Sequence, residues 1–331
     1  MEKYRLLRGL PQDRPCKLLL PLSFGLSSSV LLHMLHRQIE VQRSKPHAPP
    51  GYTLHVLIIE PSTISPSVPP HDEGFELVQE TFPLCSFTRL PLEAIFDLVP
   101  DVHRVLSEYA GKQFSDDASL SNKERLDAFR SSISTATSRT DVDNTLMNRL
   151  TVAFAKKLGC YGIVWGDTNG RLAAKALANV AKGRGASVTW QVADGMSPWG
   201  LEFIFPLRDL FKTEVQPYAG LTPELARIII SDEPPSENTL TKNLSIDELM
   251  MRYVQTQGEK YPGIMTNVTK TANKLQSPQN AADMPQCALC QSFLFRPDSS
   301  VGGAAAASVS EGVPSPRFCY ACERSRPDLS C

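Results

Sequence analysis

The stretch from Leu18 to Leu32 constrains the fold of this chain more than any other, because an apolar run enters a turn of small residues and a helical pattern leaves it. Such a strand–loop–helix unit directs backbone N–H groups and the positive end of a helix dipole towards an anion, usually a phosphate. We therefore predict a buried strand over 17–23 and then a helix that Ser27 or Ser28 caps. A serine turn that caps the helix and binds no ligand is the alternative.

Strand and helix patterns alternate along the rest of the chain, which is typical of a parallel α/β sheet with right-handed crossovers. Apolar and β-branched runs predict further strands at 52–59, 82–87, 160–165 and from 188 onwards. Helical periodicity predicts helices at 73–80, 90–109, 126–134, 143–158, 171–182, 208–218, 223–230, 246–256 and 266–275. Because ligands bind at the carboxyl ends of parallel strands, we expect two turns to share one rim. The candidate phosphate-binding residues of that rim are Ser23, Gly25, Ser27, Ser28 and Ser29 from the first turn and Gly166 and Asp167 from the second.

The length and charge of the chain limit its classes of partner. With 331 residues, the chain can form one large domain and a small appendage. Its formal net charge of −1 argues against binding nucleic acid by bulk charge, since phosphate binding needs a local excess of lysine and arginine. No window reaches the roughly 18 apolar residues of a membrane span, and no signal-peptide core follows the first residues. We therefore expect a soluble, intracellular chain with no membrane contact.

Two cysteine pairs near the carboxyl terminus form the strongest motif in the sequence. Cys287 and Cys290 make one Cys-x-x-Cys pair, and Cys319 and Cys322 make the other. Each pair can place two thiolates on one metal ion from a tight turn, and two pairs complete a tetrahedral structural zinc site. The alternative is two unrelated reduced pairs in an unstructured tail. Because the chain has no export signal, its cysteines are interpreted as thiols or metal ligands rather than disulfides.

The composition also indicates where the chain divides. We predict an α/β domain over residues 1–275, helical from about residue 206, and a linker with the cysteine module over 276–331. A segment rich in glycine, alanine and serine at 299–316 separates the two cysteine pairs and is predicted to be a flexible insertion. One metal site is compatible with this insertion, because the entropic cost of closing a loop rises slowly with its length.

The serine turn resembles the pyrophosphate loop Ser-Gly-Gly-x-Asp-Ser of the ATP pyrophosphatases, or PP-loop proteins, that adenylate tRNA bases before amination or thiolation. Ser23, Gly25 and Ser28 match that pattern, whereas Phe24 replaces the glycine in second position and Ser27 replaces the aspartate. The turn lacks both the ending of a Walker A motif and the spacing of a dinucleotide-binding fingerprint. An adenine-nucleotide α-hydrolase-like fold is what this resemblance implies.

Two later stretches resemble the second half of the same proteins. The first runs from Trp165–Asn169 through Gly183–Gly185, and the second is Phe205–Glu214. Together with the cysteine pairs, their order over residues 17–325 is similar to that of the cytoplasmic tRNA 2-thiolation protein 2 family. This resemblance implies a non-catalytic subunit of a heterodimer that thiolates U34, the wobble uridine, to form mcm5s2U in cytosolic tRNAs for Lys, Glu and Gln. It also implies a cytoplasmic location, a catalytic partner subunit, and sulfur from a thiocarboxylated ubiquitin-related modifier.

Three departures from the catalytically active relatives favour a non-catalytic role. The stretch 130–140 has no cysteine where those relatives have a pair, although sulfur chemistry needs a thiolate as nucleophile or metal ligand. Asp167 stands where they have a histidine, and Gly170 and Arg171 stand where they have acidic residues. Ser27 removes the loop carboxylate that would bind the magnesium ion of a triphosphate, which weakens the case for ATP binding.

Six basic residues near the predicted rim or on its helices are candidate tRNA contacts, namely Arg171, Lys175, Lys182, Arg184, Arg208 and Lys212. A solvated helix face is the alternative for each of them. Two further functions stay open: an enzyme that itself adenylates a tRNA base with ATP, and a zinc-stabilised scaffold unrelated to RNA. Only sixteen residues precede the first predicted strand, where members of the family carry a cysteine-containing segment, so we expect no second metal module.

Overall fold

A six-stranded sheet lies at the centre of the described part of the chain, which in this computed structural model comprises residues 16–45, 51–64, 71–230, 244–275, 284–294 and 318–327. The strands are β1 (Cys16–Pro21), β2 (Tyr52–Ile59), β3 (Ser86–Leu90), β4 (Gly162–Val164), β5 (Gly195–Met196) and β6 (Glu202–Ile204). Their spatial order is β3-β2-β1-β4-β6-β5, and every neighbouring pair is parallel except β5 with β6. The predicted parallel α/β sheet is therefore confirmed.

Strand β1 is central because it pairs on both sides. Leu18 is in register with Leu54 of β2 and with Gly162 of β4. Its side chain packs into one apolar cluster, whereas that of the next residue, Leu19, packs into another on the opposite face. Burial on both faces explains why β1 is a continuous apolar run rather than an alternating one. The loop that follows β1 is thereby fixed to the middle of the sheet.

Helices cover both faces of the sheet and extend beyond it. In chain order they are α1 (Leu26–Arg43), α2 (Pro61–Ile64), α3 (Asp72–Thr81), α4 (Ile95–Leu98), α5 (Val102–Ala110), α6 (Asn122–Ser131), α7 (Ala136–Lys157), α8 (Asn169–Ala181), α9 (Val188–Gln191), α10 (Lys212–Gly220), α11 (Pro223–Ile228), α12 (Ile246–Lys260), α13 (Pro262–Lys274) and α14 (Tyr320–Arg324). Helices α1, α3, α10 and α11 contribute to the core on one face. Helices α7, α8, α9 and α13 contribute to the core on the other. None of the helices in these ranges is both long and apolar enough to span a bilayer.

The strand predicted from Val188 onwards is wrong, because Val188–Gln191 forms the short helix α9. Val188, Trp190 and Val192 are all buried, and a short buried apolar run does not by itself distinguish a strand from a helix. The Trp190 ring packs edge-on against Trp199 with 4.7 Å between ring centroids. The place beside β4 is taken instead by β6, which begins at Glu202, and β5 pairs with the outer side of β6.

Two predicted helices also differ from the structure. The helix predicted over 90–109 is divided into α4 and α5, because Pro100 lacks an N–H group and Val99 before it is extended. The helix predicted from 208 begins at Lys212, after a turn that contains Arg208. The other predicted helices and strands are present with shifted ends. The strand predicted at 82–87, for instance, is β3, which begins at Ser86.

The two cysteine segments share a core with the main body of the protein. Cys287, Cys290 and Cys322 are buried in one apolar cluster with residues of α5, α6 and α7. The predicted domain boundary near residue 276 and the insertion at 299–316 lie outside the described residues and stay predictions. Within those residues, the cysteine segments are packed against the α/β body rather than separate from it.

Candidate functional site

The serine loop leaves the carboxyl end of β1 and enters α1. Gly25 is the residue that precedes the helix, with extended backbone and no side-chain cap, so the predicted capping by Ser27 or Ser28 is wrong. Both serines lie inside the first turn of α1. The Ser28 hydroxyl donates to the Gly25 carbonyl at 3.1 Å and lies 3.1 Å from the Ser23 hydroxyl. The hydroxyl groups of Ser23 and Ser28 therefore have hydrogen-bond partners within the loop itself.

Phe24 occupies the position of the glycine in the pyrophosphate-loop pattern and adopts a left-handed backbone conformation, with φ of 58°. For a residue with a side chain this conformation costs about 1–2 kcal/mol. Phe24 is 1% exposed, its ring packs edge-on against His71 with 4.7 Å between ring centroids, and its carbonyl accepts from the Ile230 N–H at 2.9 Å. These contacts hold the loop in its conformation and fix it to the core.

The turn after β4 contacts the serine loop, as the sequence predicts. A Cβ atom on Gly166 would lie 2.7 Å from the Cα atom of Ser28, so only a glycine permits this approach. Ser29, in the same turn of α1, is fully buried and its hydroxyl has no hydrogen-bond partner among the described residues. The two turns therefore form one rim at the carboxyl end of the sheet.

The carboxylate of Asp167 on this rim is neutralised by two cations of α8. Its Oδ2 atom lies 2.5 Å from Lys175 Nζ, and its Oδ1 atom lies 3.2 Å from Arg171 Nε. Lys175 also lies over the ring of Trp165, 5.7 Å from the ring centroid. The four-residue spacing of Asp167, Arg171 and Lys175 is a signal in the sequence for this arrangement, although both cations were predicted only as tRNA contacts.

The six candidate tRNA contacts separate into an exposed group and a buried group. Arg171, Lys175 and Lys212 are at least partly exposed. Lys182, Arg184 and Arg208 have side chains that are 9%, 4% and 10% exposed and form ion pairs inside the protein. Since a buried, paired cation cannot reach a phosphate backbone, we remove these three residues from the set of tRNA contacts.

Three described cysteines outside the terminal pairs lie at the amino-terminal ends of the strands, at the end of the sheet opposite the serine loop. Cys16 begins β1, Cys85 immediately precedes β3, and Cys160 lies two residues before β4. Burial raises the pKa of Cys16 to about 11 and that of Cys85 to about 12, and it also raises the pKa of Cys160. These three thiols therefore stay protonated at neutral pH and are remote from the loop.

The two terminal cysteine pairs come together, as the sequence predicts. The sulfur atoms of Cys287, Cys290, Cys319 and Cys322 all lie within 4.8 Å of one another, and those of Cys290 and Cys319 are 3.6 Å apart. Tetrahedral zinc with bonds of about 2.3 Å places its sulfur ligands about 3.8 Å apart. An iron–sulfur cluster would hold them further apart, because iron and sulfide atoms lie between the cysteines. The geometry therefore fits one metal ion with four thiolate ligands.

Backbone hydrogen bonds shape this cysteine cluster in the way expected for Cys-x-x-Cys turns. The Cys319 N–H donates to Cys287 Sγ at 3.2 Å, and the Gln291 N–H donates to the Cys287 carbonyl at 2.8 Å. Gln291 adopts a left-handed conformation, with φ of 58°, which turns the chain back after Cys290. Hydrogen bonds among the four sulfurs, first of all those with Cys287, lower the pKa of both Cys290 and Cys319. The same sulfur contacts raise the pKa of Cys287, and burial raises that of Cys322.

A parallel α/β sheet with a serine loop between its central strand and the next helix defines the class of PP-loop-like proteins. In agreement, the structure is similar to the U34-tRNA thiolase NcsA from Methanococcus maripaludis, which was solved with its 4Fe–4S cluster. The TM-score is 0.50, with 12% sequence identity over 88% of this chain and 81% of that one. At this identity the likeness shows the fold alone.

Sequence comparison gives the particular family. The chain is 64% identical to the cytoplasmic tRNA 2-thiolation protein 2 of Aspergillus niger over 331 residues, which cover all of this chain and 88% of that protein. It is 61% identical to the same protein of Emericella nidulans over the whole of both chains, and 46% identical to that of Ajellomyces capsulatus over 99% of this chain and 92% of that protein. The family model described as cytoplasmic tRNA 2-thiolation protein 2 matches residues 245–316. The chain belongs to the cytoplasmic tRNA 2-thiolation protein 2 family.

Proposed function

We propose that this protein is the non-catalytic subunit of a cytoplasmic heterodimer that 2-thiolates U34 in cytosolic tRNAs for Lys, Glu and Gln. Its partner is a catalytic thiolation subunit, and the sulfur comes from a thiocarboxylated ubiquitin-related modifier. Membership of the family supports the role in tRNA 2-thiolation. The assignment of a non-catalytic role depends on the rim of the sheet.

The observation that most directly supports the non-catalytic role is that the Asp167 carboxylate is buried and paired with two cations. Asp167 is 5% exposed and is held by Lys175 and Arg171, so its charge is not available to a metal–triphosphate complex. The serine loop contributes no carboxylate of its own, because Ser27 stands at the position of the aspartate. Protein carboxylates commonly hold the magnesium ion of a nucleotide, and the two turns of this rim offer none that is free of a counter-ion.

We propose a structural role for the cysteine cluster, with zinc as its ion. Four thiolate ligands leave no open coordination position, which is the arrangement of a structural rather than a catalytic zinc site. The burial of Cys287, Cys290 and Cys322 in the core shared with α5, α6 and α7 supports this role. Zinc bound there would stabilise the body of the protein and not merely its terminal segments.

The exposed cations of the rim are the proposed contacts with tRNA. Arg171 is 58% exposed, Lys175 is partly exposed, and Lys212 at the start of α10 is exposed. Contacts to phosphate give affinity and register without reading the sequence. Recognition of U34 itself is therefore assigned to the catalytic partner.

The test is deletion of the gene combined with purification of the tagged chain. We expect deletion to remove 2-thiouridine at position 34 of the three tRNAs, and we expect the tagged chain to copurify with a PP-loop thiolation subunit. The isolated chain should release no pyrophosphate from ATP in the presence of tRNA, whereas the reconstituted pair should. Pyrophosphate release by the isolated chain would favour an adenylating enzyme, and unchanged thiolation would favour a scaffold unrelated to RNA.

A further inference from the structure

The guanidinium group of Arg184 lies directly against the second cysteine pair. One terminal nitrogen donates to Cys322 Sγ at 3.3 Å, and the other donates to Cys319 Sγ at 3.9 Å. Arg184 lies between α8 and α9 and is 135 and 138 residues away from these cysteines in sequence. Its side chain is 4% exposed. A full positive charge is therefore buried beside the sulfur atoms.

Arg184 is the last member of a row of charges that alternate in sign. Asp247 of α12 accepts from Lys182 Nζ at 2.8 Å, and Lys182 Nζ also lies 2.9 Å from Asp141 Oδ1 of α7. The other oxygen of Asp141 accepts from Arg184. The row thus ends on a cation whose next neighbours are Cys319 and Cys322.

Asp141 neutralises Arg184 only in part, because its carboxylate is shared with Lys182. A buried cation is stable only when opposite charge or hydrogen-bond acceptors surround it. The Nε–H group of Arg184 has no partner among the described residues, so Asp141 does not satisfy the whole guanidinium group. A divalent ion with four thiolate ligands carries two negative charges, whereas four neutral thiols carry none. The metal-bound form of the cluster is therefore the form that Arg184 complements.

A second buried arginine lies on the side of the first cysteine pair. Arg149 of α7 donates to the carbonyls of Ala288 and Leu289, the two residues between Cys287 and Cys290, at 3.0 and 3.3 Å. Its other terminal nitrogen pairs with Asp101 at 2.9 Å. Arg149 thus holds the backbone of one turn, whereas Arg184 faces the sulfur atoms of the other.

We propose that Arg184 is a positioning residue for the metal centre, which orients the sulfur atoms of Cys319 and Cys322, complements the negative charge of the metal-bound cluster and ties the centre through Asp141 to α7 and α12. This inference rests on the proposed metal site. Partners that hydrogen-bond to metal ligands fix their orientation and charge, and their loss typically lowers metal affinity about 10–100-fold. The role differs from the tRNA contact that the sequence suggests for the same residue.

The test compares zinc retention by the 331-residue chain and its Arg184→Gln variant. Zinc content is measured by mass spectrometry, and the rate of zinc transfer to a chromogenic chelator is followed at constant pH. We expect Arg184→Gln to lower zinc affinity about 10–100-fold. Arg324→Gln is the matched control, because Arg324 is exposed on α14 next to the same cysteine pair, and this variant should retain zinc like the wild type.

A double variant separates this role from a merely structural ion pair. If Arg184 only balanced Asp141, then Arg184→Gln with Asp141→Asn would remove both charges and restore zinc affinity. We expect the loss to persist, because the sulfur atoms still lack their cation. Arg184→Lys, which retains a positive charge, should lose zinc more slowly than Arg184→Gln even if the latter folds poorly. Cobalt substitution provides a second readout, since thiolate-to-cobalt absorption bands report whether all four sulfurs bind.

The outcomes distinguish this inference from the assignments on which it rests. Wild-type protein without metal would overturn both the metal site and the role of Arg184. Zinc held equally tightly by the wild type and Arg184→Gln, or affinity restored in the double variant, would overturn the role of Arg184 and leave the metal site intact. None of these measurements depends on tRNA thiolation, so the proposed subunit role is tested separately.

Discussion

Gly166 and Ser28 approach each other so closely that a Cβ atom on Gly166 would lie 2.7 Å from the Cα atom of Ser28. Because this contact is with backbone, no rotation of a side chain can relieve it. We expect Gly166→Ala to lower the free energy of unfolding by about 1–3 kcal/mol, as overpacking does elsewhere. Urea unfolding followed by circular dichroism measures this change.

The matched control for that substitution is Gly263→Ala in α13, where an added Cβ atom meets nothing within 4 Å. Alanine is favoured over glycine in a helix by up to about 1 kcal/mol, so this variant should be as stable as the wild type or more stable. Equal stability of the Gly166 and Gly263 variants would contradict the close packing of the two turns.

Replacing Asp167 tests whether the rim takes part in chemistry. Asp167→Asn removes the charge that holds Lys175 and Arg171, and we expect a loss of about 1–2 kcal/mol in the free energy of unfolding. Thiolation of U34 in cells should persist, because the carboxylate binds no substrate in a non-catalytic subunit. Asp209→Asn, at an exposed carboxylate, is the control. Loss of thiolation with normal amounts of folded Asp167→Asn protein would contradict the proposed role.

Removal of the metal should destabilise the body of the protein and not merely its end. The double variant Cys287→Ser with Cys290→Ser should lose about one zinc ion per chain, since two ligands of a four-thiolate site are gone. Because these cysteines share a core with α5, α6 and α7, we expect the main thermal transition to shift downwards. Cys85→Ser, outside the cluster, should retain zinc. An unshifted transition after zinc loss would show that the cysteine segments are separable.

Three histidines should make the protein less stable in mild acid. Burial is the main cause that lowers the pKa of His33, His36 and His55. Just below their ordinary pKa of about 6.5, the unfolded chain therefore binds more protons than the folded one. Their contribution to stability is present above about pH 6.5 and is lost as the pH falls towards the lowered pKa values.

The measurement for the histidines is the urea midpoint at about pH 7.5 and about pH 5.5, in the wild type and in a variant with all three changed to glutamine. The drop in midpoint between the two pH values should be smaller in the variant. Comparing the same two pH values in both proteins cancels contributions from other titrating groups, including the cysteine cluster. An equal drop in both proteins would show that other groups cause the acid sensitivity.

Charge removal on the exposed part of the rim should weaken tRNA binding by the reconstituted complex. Arg171→Gln with Lys212→Gln should reduce the slope of log affinity against log salt concentration by about one for each phosphate contact that is lost. Arg37→Gln with Arg104→Gln removes two exposed cations elsewhere, on α1 and α5, and should leave the slope unchanged. Equal slopes for both variants and the wild type would exclude this face as a tRNA contact.

Local pattern was sufficient to predict the architecture, the place of the serine loop and the cysteine cluster. The apolar run of β1 and the serine turn after it predicted the central strand and its loop, and the two Cys-x-x-Cys pairs predicted that the four cysteines cluster. These predictions succeeded because hydrophobic periodicity and ligand spacing depend on residues close together in sequence. The strand predicted from Val188 failed for the same reason, since a short buried run has the same pattern in a strand and in a helix.

The roles of the charged residues depended on contacts between distant parts of the chain. Arg184 and Lys182 were grouped in sequence with the exposed Arg171 as candidate tRNA contacts, and nothing local distinguishes them. The fold places Arg184 beside Cys322, 138 residues away, and buries it there, whereas it leaves Arg171 at the surface. The sequence by itself determined the parallel sheet, the serine loop and the pairing of cysteines within each Cys-x-x-Cys turn, because each depends on residues close together in the chain. Tertiary structure alone decided which cations bind inside the protein and which face solvent, because burial and ion pairing depend on how α7, α8, α12 and the cysteine segments pack together.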